Sequence, residues 1–409
     1  MNRRQSTSTF YFSLNCILIL LATCSTIEAW NKANLDTLKF VQIIMRHGDR
    51  NPIWTFPLDP HKNDSSYWPG GFEQLTDLGV KQTHELGRYI RERYDGFVSK
   101  SYLKEEVSAW SSFTDRSIRS GTSFLRGLYP KVNKNDQMTT ISSKLDYDDG
   151  EESQVVPLRT ITKESDNYIY YGAKCPRWSK LEKHYVINSP KGRQLQQESI
   201  EIVKTLKNHT GLHGTLDDVG IMFDYINCQN LQNKTLPPWV KPEIIEFGDT
   251  FISYRLGAES QTKDMKKLRS GIVQKTVQNL ETKIRKATKL KFVLYSGHDR
   301  TIITFLNILN LYNELKTPYA AAILVELHKS PKFNDHIVEI YFRNETTVEP
   351  YLMEMSECPR PCQLSKFLNF TKPFFIEDFQ KACMISDAQA LHVPLTLMPL
   401  LATLLARFW

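Results

Sequence analysis

The sequence has no internal repeat and no low-complexity tract, and its 41% apolar and 24% charged residues are ordinary for a globular protein. A fibre, a repeat array and a disordered chain are therefore excluded. It also lacks an RNA-binding signature and the ligand spacing of a zinc finger, so we expect no nucleic-acid partner. The net charge of +7 is modest for 409 residues and is spread along the chain, which indicates a solvated basic surface.

The N-terminus lacks a hydrophobic run long enough to cross a bilayer comfortably. Residues 16–22 (CILILLA) are apolar but short, and Arg3 and Arg4 precede them. The small residue Ala29 provides a cleavage site, so we predict that residues 1–29 are a signal peptide rather than an anchor. Its removal lowers the formal charge by one, since two arginines leave together with Glu28.

Cysteine is scarce, and two of the seven cysteines precede residue 30. The remaining five are an odd number, so at least one thiol is free or pairs with another chain. The CPRPC segment could close a small disulfide, but spacing alone assigns no pair. No histidine lies at ligand spacing from these cysteines, which argues against a zinc site. The five are Cys175, Cys228, Cys358, Cys362 and Cys383.

Five N-x-S/T sequons follow the predicted signal peptide, at Asn63, Asn208, Asn233, Asn344 and Asn369. Together they predict a glycoprotein of the secretory pathway, either extracellular or lysosomal. The apolar C-terminal tail, residues 389–409, leaves two alternatives open. It is either a signal for a GPI anchor, with Ser386 or Ala388 upstream, or a terminal helix that packs on the domain or on a membrane.

Strands and helices alternate in the first part of the chain. Residues 38–45 are a short, apolar, β-rich run that leads directly into a charged turn. Thr76 can cap a helix over residues 77–94. A second strand at 106–110 is followed by another turn and by a helix that ends near residue 129.

Residues 135–260 are polar with patchy periodicity, and we predict a mostly helical cap insertion there. It divides an α/β catalytic core into residues 30–134 and 261–388. The alternation predicts a sheet with helices on both faces. In the second half of the core we expect a helix at 266–289, a strand at 291–296, a helix at 301–312, and strands at 321–327 and 336–342.

The first polar cluster, Arg46, His47 and Arg50, follows a predicted strand, where open α/β sheets bind their ligands. The planar guanidinium of arginine matches phosphate oxygens, and histidine can act as a covalent nucleophile. The cluster therefore suits a bound phosphoryl group that is attacked by an imidazole nitrogen. A salt-bridged turn is the structural alternative.

Two further polar clusters follow predicted strands, one after the strand at 106–110 and one after the strand at 291–296. Arg116, at a helix start, could add a third guanidinium beside the amide donors of the helix, although on its own this cluster is better explained by a surface ion pair. His298 and Asp299 pair an imidazole with a carboxyl group that could protonate a leaving alkoxide. The structural alternative to this catalytic role is that the loop aspartate only holds the neighbouring histidine in place.

The motif RHGDRNP at residues 46–52 and the His298-Asp299 pair resemble the two signatures of the histidine acid phosphatases. The likeness to prostatic, lysosomal and insect venom acid phosphatases extends from about residue 38 to 383. It implies a mixed central sheet with an inserted helical cap, no metal or other cofactor, an acidic optimum and frequent dimerisation. By this resemblance His47 would be the nucleophile and Asp299 the proton donor. Phosphate would be bound by Arg46, Arg50, Arg116 and His298.

The sequence departs from the prostatic pattern at several positions. Trp110 and Phe113 stand where that pattern has an arginine and an aspartate, and Arg300 replaces a small hydroxyl residue. We expect a more apolar pocket wall, and either an extra cation or an outer salt bridge at Arg300. The family pairing implies the disulfides Cys175–Cys383 and Cys358–Cys362, which leaves Cys228 as the free thiol.

We therefore predict a secreted acid phosphatase that acts on phosphate monoesters of small molecules or phosphoproteins. One alternative is an inositol-phosphate phosphatase, although the acid-rich residues 146–152 do not favour the basic cap that it would need. The other is a non-catalytic secreted protein that binds an anion. That role would normally follow the loss of a catalytic residue, and none of the six candidates is missing.

Overall fold

The computed structural model describes residues 33–131, 153–286, 288–345 and 347–384, without the side chains of residues 216 and 217. The predicted signal peptide and the C-terminal tail lie outside these residues. None of the described helices combines the length and the apolar character that a membrane crossing requires.

A mixed seven-stranded sheet, in the order β3-β2-β4-β1-β5-β6-β7, forms the centre of the molecule. The first four strands along the chain pair in parallel, and β5 to β7 are antiparallel. The predicted α/β class and the mixed sheet are thereby confirmed. The strands are β1 (Leu38–Arg46), β2 (Val107–Ser112), β3 (Leu158–Ile161), β4 (Phe292–Gly297), β5 (Ala322–Lys329), β6 (His336–Arg343) and β7 (Tyr351–Leu352).

Helices cover both faces of the sheet, because the central strands are apolar on both sides. In β1, Phe40 and Ile44 face the helices at 271–285, 299–308 and 364–371, whereas Val41 and Ile43 face those at 77–93 and 115–128. The helices are α1 (Asp77–Arg93), α2 (Asp115–Leu128), α3 (Pro176–Glu182), α4 (Pro190–Glu198), α5 (Ile200–Thr210), α6 (Leu216–Leu231), α7 (Pro242–Gly257), α8 (Lys263–Arg269), α9 (Gly271–Arg285), α10 (Asp299–Ile308), α11 (Leu364–Thr371) and α12 (Phe379–Cys383). A π-helical turn (Lys183–Ile187) and two 3₁₀ turns (Ala258–Ser260 and Lys372–Phe374) complete the set.

The described part of the predicted cap contains α3 to α7. Helices α5, α6 and α7 share a small core of their own, which also includes Phe56 and Trp68 from the loop after β1. Strand β3 falls within the residue range assigned to the cap but pairs with β2 in the central sheet. That segment therefore belongs to the core.

The predicted helix at 266–289 is wrong in one respect, since two helices, α8 and α9, meet at Ser270. A side chain at Gly271 would place its Cβ 2.2 Å from the carbonyl oxygen of Asn167, so a crossing loop presses against the junction. The predicted helix at 301–312 corresponds to α10, which starts two residues earlier, at Asp299, and ends four residues earlier, at Ile308. Asn310, just beyond it, has a φ of 57°, which is outside the right-handed helical region.

Candidate active site

The three polar clusters meet at one edge of the sheet because β1, β4 and β2 are adjacent and parallel. The His47 amide donates to the carbonyl of Gly297 at 2.9 Å, which ties the end of β1 to the end of β4. The ring centroids of His47 and His298 lie 5.4 Å apart. The structure thus brings together all six residues that the sequence singled out: Arg46, His47, Arg50, Arg116, His298 and Asp299.

The turn after β1 is held against the start of α1. Thr76 caps that helix and its hydroxyl also donates to the Asp49 carboxylate at 2.6 Å. Gly48 lies so close to Gly79 that a Cβ on Gly48 would be 2.2 Å from the Gly79 carbonyl oxygen. Any larger residue at either position would push the turn away from the helix, and His47 would move with it.

His47 is buried, with an exposed fraction of 2%, and its Nδ1 lies 2.8 Å from the carbonyl oxygen of Gly48. A carbonyl oxygen can only accept, so Nδ1 must carry the proton and donate. In the neutral ring the lone pair is therefore on Nε2. This fixed tautomer leaves Nε2 able to act as a nucleophile.

Burial lowers the pKa of His47 well below its ordinary value, and the charges of Arg116 and Arg46 lower it further. The pKa of His298 is likewise lowered, first by burial and then by Arg116. The Nε2 atom of His298 lies 2.9 Å from the hydroxyl of Ser112, which orients the ring. Both imidazoles therefore stay neutral at mildly acidic pH.

Each of the three arginines has one carboxylate partner. Arg46 pairs with Asp299 at 3.2 Å, and its guanidinium also lies 4.2 Å from the ring centre of Tyr319 and donates to the Thr317 carbonyl. Asp224 binds Arg50 through both oxygens, at 2.7 and 3.1 Å.

Arg116 donates to the carboxylate of Glu73 at 2.8 Å. Burial and the nearby Arg50 lower the pKa of the Arg116 guanidinium, so the two cations lie close enough to repel each other. An anion bound between them would relieve that repulsion.

The Nε atoms of Arg46, Arg50 and Arg116 are buried and have no hydrogen-bond partner among the described residues. An unpaired donor on a buried charged group is costly, on the order of 1–3 kcal/mol or more. A bound phosphate group could accept from such unpaired guanidinium donors.

Asp299 is the first residue of α10, and a third of its side chain is exposed. Burial raises the pKa of this carboxyl, but Arg46 and His298 outweigh that effect and lower it to about 2. Asp299 therefore carries a negative charge in the ligand-free site. It borders a cleft that also includes Arg46, Phe223, Asn227 and Ser253.

Sequence reasoning missed Asp224, Glu73 and Tyr319. Asp224 lies on α6, and its carboxylate also accepts from the amide of Ile53 at 2.7 Å, so an insertion helix holds the turn that carries Arg50. No local pattern marks these residues, because each contacts the site only through the tertiary fold.

The departures from the prostatic pattern have different surroundings. Phe113 packs on Tyr170 with a centroid distance of 4.9 Å, and Tyr170 packs edge-on against His298 at 5.0 Å. Trp110 instead donates to the hydroxyl of Ser108 at 3.0 Å. Arg300 forms the outer salt bridge, with Glu259 at 3.0 Å.

The disulfides Cys175–Cys383 and Cys358–Cys362 are both formed, and Cys228 is a buried free thiol. Of the five sequon asparagines, Asn344 is half-buried and the other four are exposed: Asn63, Asn208, Asn233 and Asn369.

One group of possible metal ligands occurs among the described residues, formed by Glu326, His328 and Glu339. Arg93 and Tyr94 already donate to Glu326 at 2.8 and 2.7 Å, so its carboxylate charge is neutralised within the protein. This group belongs to strands β5 and β6 and to the internal ion pairs of the core.

Residues 37–343 match the family described as the histidine phosphatase superfamily (branch 2). The chain is 33% identical to prostatic acid phosphatase of Homo sapiens, over 86% of this chain and 89% of that protein. It is 31% identical to prostatic acid phosphatase of Bos taurus, over 91% and 93%. It is 30% identical to lysosomal acid phosphatase of Homo sapiens, over 87% and 82%.

Among solved structures, the fold is similar to the phytase of Hafnia alvei in complex with myo-inositol hexakis sulphate. The TM-score is 0.61 at 14% identity, covering 86% of this chain and 99% of that one. The phytase of Citrobacter braakii gives 0.59 at 14% identity, covering 86% and 100%. At this level of identity the likeness concerns the fold alone. Together with the sequence matches, the sheet and the site place the chain in branch 2 of the histidine phosphatase superfamily, as an acid phosphatase of the family that includes the prostatic and lysosomal enzymes.

Proposed function

We propose that this acid phosphatase hydrolyses phosphate monoesters through a phosphohistidine on His47. The observation that carries the proposal is the bond from Nδ1 of His47 to the Gly48 carbonyl, since it leaves the Nε2 lone pair free. The lowered pKa of His47 keeps that lone pair available in acid, where an ordinary histidine would be protonated.

The phosphoryl group would be bound by the unpaired Nε donors of Arg46, Arg50 and Arg116, with His298 beside them. A phosphoryl transfer spreads negative charge over the equatorial oxygens, and fixed cations stabilise that charge without reorganisation. Positioning and electrostatics can thus supply most of the catalysis.

In the first chemical step the Nε2 lone pair of His47 attacks phosphorus and the bond to the ester oxygen breaks. Asp299 gives its proton to that oxygen, and the alcohol leaves. In the second step water attacks the phosphohistidine, its proton returns to the Asp299 carboxylate, and the P–N bond breaks. Inorganic phosphate and neutral His47 are regenerated, so atoms, protons and electron pairs balance.

Asp299 must be protonated for this role, although Arg46 and its other neighbours lower its pKa to about 2 in the ligand-free site. A bound phosphate competes for Arg46 and adds negative charge nearby. Both effects raise the pKa of Asp299, so the carboxyl takes up its proton when substrate binds. An acidic optimum follows from this requirement.

The test is hydrolysis of a chromogenic phosphate ester from pH 3 to 8, without added metal, by wild type and by His47→Ala. We expect an acidic optimum that vanishes in the variant. A rapid alkaline quench followed by mass spectrometry should detect a phosphorylated peptide containing His47, since phosphohistidine survives alkali. Equal activity in both proteins, or a phosphoryl group on another residue, would refute the role of His47.

We also propose that the chain enters the secretory pathway, either for secretion or for the lysosome. Two disulfides and exposed sequon asparagines support this, because disulfides persist in oxidising compartments. A mobility shift after endoglycosidase treatment would test it.

Dimerisation and membrane association through residues 389–409 stay predictions, which gel filtration and vesicle sedimentation of the full chain would test. The choice between small phosphate esters and phosphoproteins as substrates is tested by assaying both.

A further inference from the structure

Glu73 has a backbone conformation that non-glycine residues seldom adopt. Its φ is 65°, in the left-handed region where a side chain is strained. The surrounding loop is fixed by backbone hydrogen bonds from Glu73 to Pro52 at 2.8 Å and from Asn51 to Gln74 at 2.9 Å. Strained residues of this kind cluster at functional sites, and here the strained residue contacts Arg116.

The Glu73 carboxylate is bound less firmly than the Asp224 carboxylate, which pairs with Arg50 and also accepts from the amide of Ile53. Asp224 holds Arg50 by two bonds and is 20% exposed, whereas Glu73 makes one bond to Arg116 and is 42% exposed. Water reaches the Glu73 carboxylate, so that carboxylate can leave the buried Arg116 at little cost once another anion takes its place. Glu73 can therefore give up Arg116 to an incoming anion.

We propose that Glu73 is a built-in competitor of phosphate for Arg116. In the ligand-free enzyme its carboxylate accepts from Nη1 of that arginine, whereas phosphate would use the unpaired Nε, so the two anions share one guanidinium and repel each other. The residue thus weakens the binding of phosphate and speeds release of the product. This inference rests on the proposed role of Arg116 in the phosphate site.

A positioning role for Glu73 makes the opposite prediction. If the carboxylate served to hold Arg116 in place for phosphate, its removal would weaken phosphate binding. If it competes, removal strengthens binding. The sign of the change in affinity therefore separates the two roles, and a residue that served only local stability would leave the affinity unchanged.

The experiment measures binding of inorganic phosphate to the full-length protein by calorimetry. Glu73→Gln removes the charge and keeps the length of the side chain, and Glu73→Gly removes the charge and relieves the positive φ. Asp77→Asn is the matched control, because Asp77 is an exposed carboxylate only four residues away, in the first turn of α1. Arg116→Gln tests the phosphate site itself.

We expect both Glu73 variants to bind phosphate about three- to five-fold more tightly, the range of a partly exposed ion pair, with Asp77→Asn unchanged. The KM for a phosphate ester and the inhibition constant of phosphate should fall by the same factor. Weaker or unchanged binding in both Glu73 variants, with Arg116→Gln still impaired, would refute the competitor role alone. Normal phosphate binding by Arg116→Gln would refute the phosphate site and the competitor role together.

Discussion

Replacement of His47 by glutamine should make the protein more resistant to acid. His47 is buried, and burial together with the nearby arginines holds its pKa well below the ordinary value. In the unfolded chain the same histidine takes up a proton at about pH 6.5. The unfolded state therefore binds one more proton than the folded state over the pH range between these two pKa values.

The sign of the effect follows from linkage. Because the pKa of His47 is lowered in the folded chain, stability is unaffected above about pH 6.5 and falls as the pH drops below it. The loss stops only where folded His47 itself becomes protonated. Within that window it amounts to about 1.4 kcal/mol per pH unit, or about 1.4 kcal/mol at pH 5.5. Glutamine does not titrate, so His47→Gln escapes this loss.

The assay is urea unfolding followed by tryptophan fluorescence, at pH 7.5 and 5.5, in phosphate-free buffer with the disulfides intact. All other titrating groups are shared, so the difference between wild type and His47→Gln isolates His47. We expect the variant to gain about 1.4 kcal/mol relative to wild type between the two pH values. A difference that stays constant would mean that folded His47 is protonated in acid, and it would remove the basis for a neutral nucleophile.

Three further predictions concern the proton donor, the insertion helix and the long disulfide. Asp299→Asn should lower kcat/KM, which reports the steps up to release of the alcohol, at least about 100-fold for an alkyl phosphate but much less for nitrophenyl phosphate, whose leaving group needs no proton; an equal loss of kcat/KM for both would contradict a proton donor. Asp224→Asn should lower the free energy of unfolding by about 3 kcal/mol and raise KM, because a buried Arg50 loses its charged partner; urea unfolding and steady-state kinetics check this, and wild-type values for both would contradict the positioning role. Replacing Cys175 and Cys383 by serine should cost about 5 kcal/mol in urea unfolding, since the bridge spans 208 residues, and a loss no larger than that from removing the short disulfide would contradict the loop-closure argument.

The sequence was sufficient to predict the parts of the site that follow strands. Arg46, His47, His298 and Asp299 each lie directly at or after the end of a buried apolar strand, so the topology of a parallel sheet brings them together. The resemblance to a known family then indicated their roles. Thr76 as a helix cap was predictable for a similar reason, because capping depends on residues within one turn.

The remaining features depend on contacts that no local pattern reports. Asp224 reaches Arg50 across 174 residues, and the positive φ of Glu73 arises from the fold of its loop. Strand β3 has only four residues at the edge of the sheet, and pairing with β2 determines its conformation. The break at Ser270 likewise reflects a neighbouring loop that packs against Gly271.

The three arginine–carboxylate pairs explain how a site with so much positive charge stays folded without its ligand. Each cation is neutralised by one acid, and the pairs are Arg46 with Asp299, Arg50 with Asp224 and Arg116 with Glu73. The three acids differ in what a phosphate group does to them. Asp224 accepts two hydrogen bonds from Arg50 and would remain with it, whereas in the proposed mechanism Asp299 loses part of its contact with Arg46 and takes up a proton. Glu73 is the most exposed and gives way. Neutralisation of the empty site follows from these pairs, and under the proposed mechanism activation of the proton donor and release of product follow from the same electrostatic arrangement.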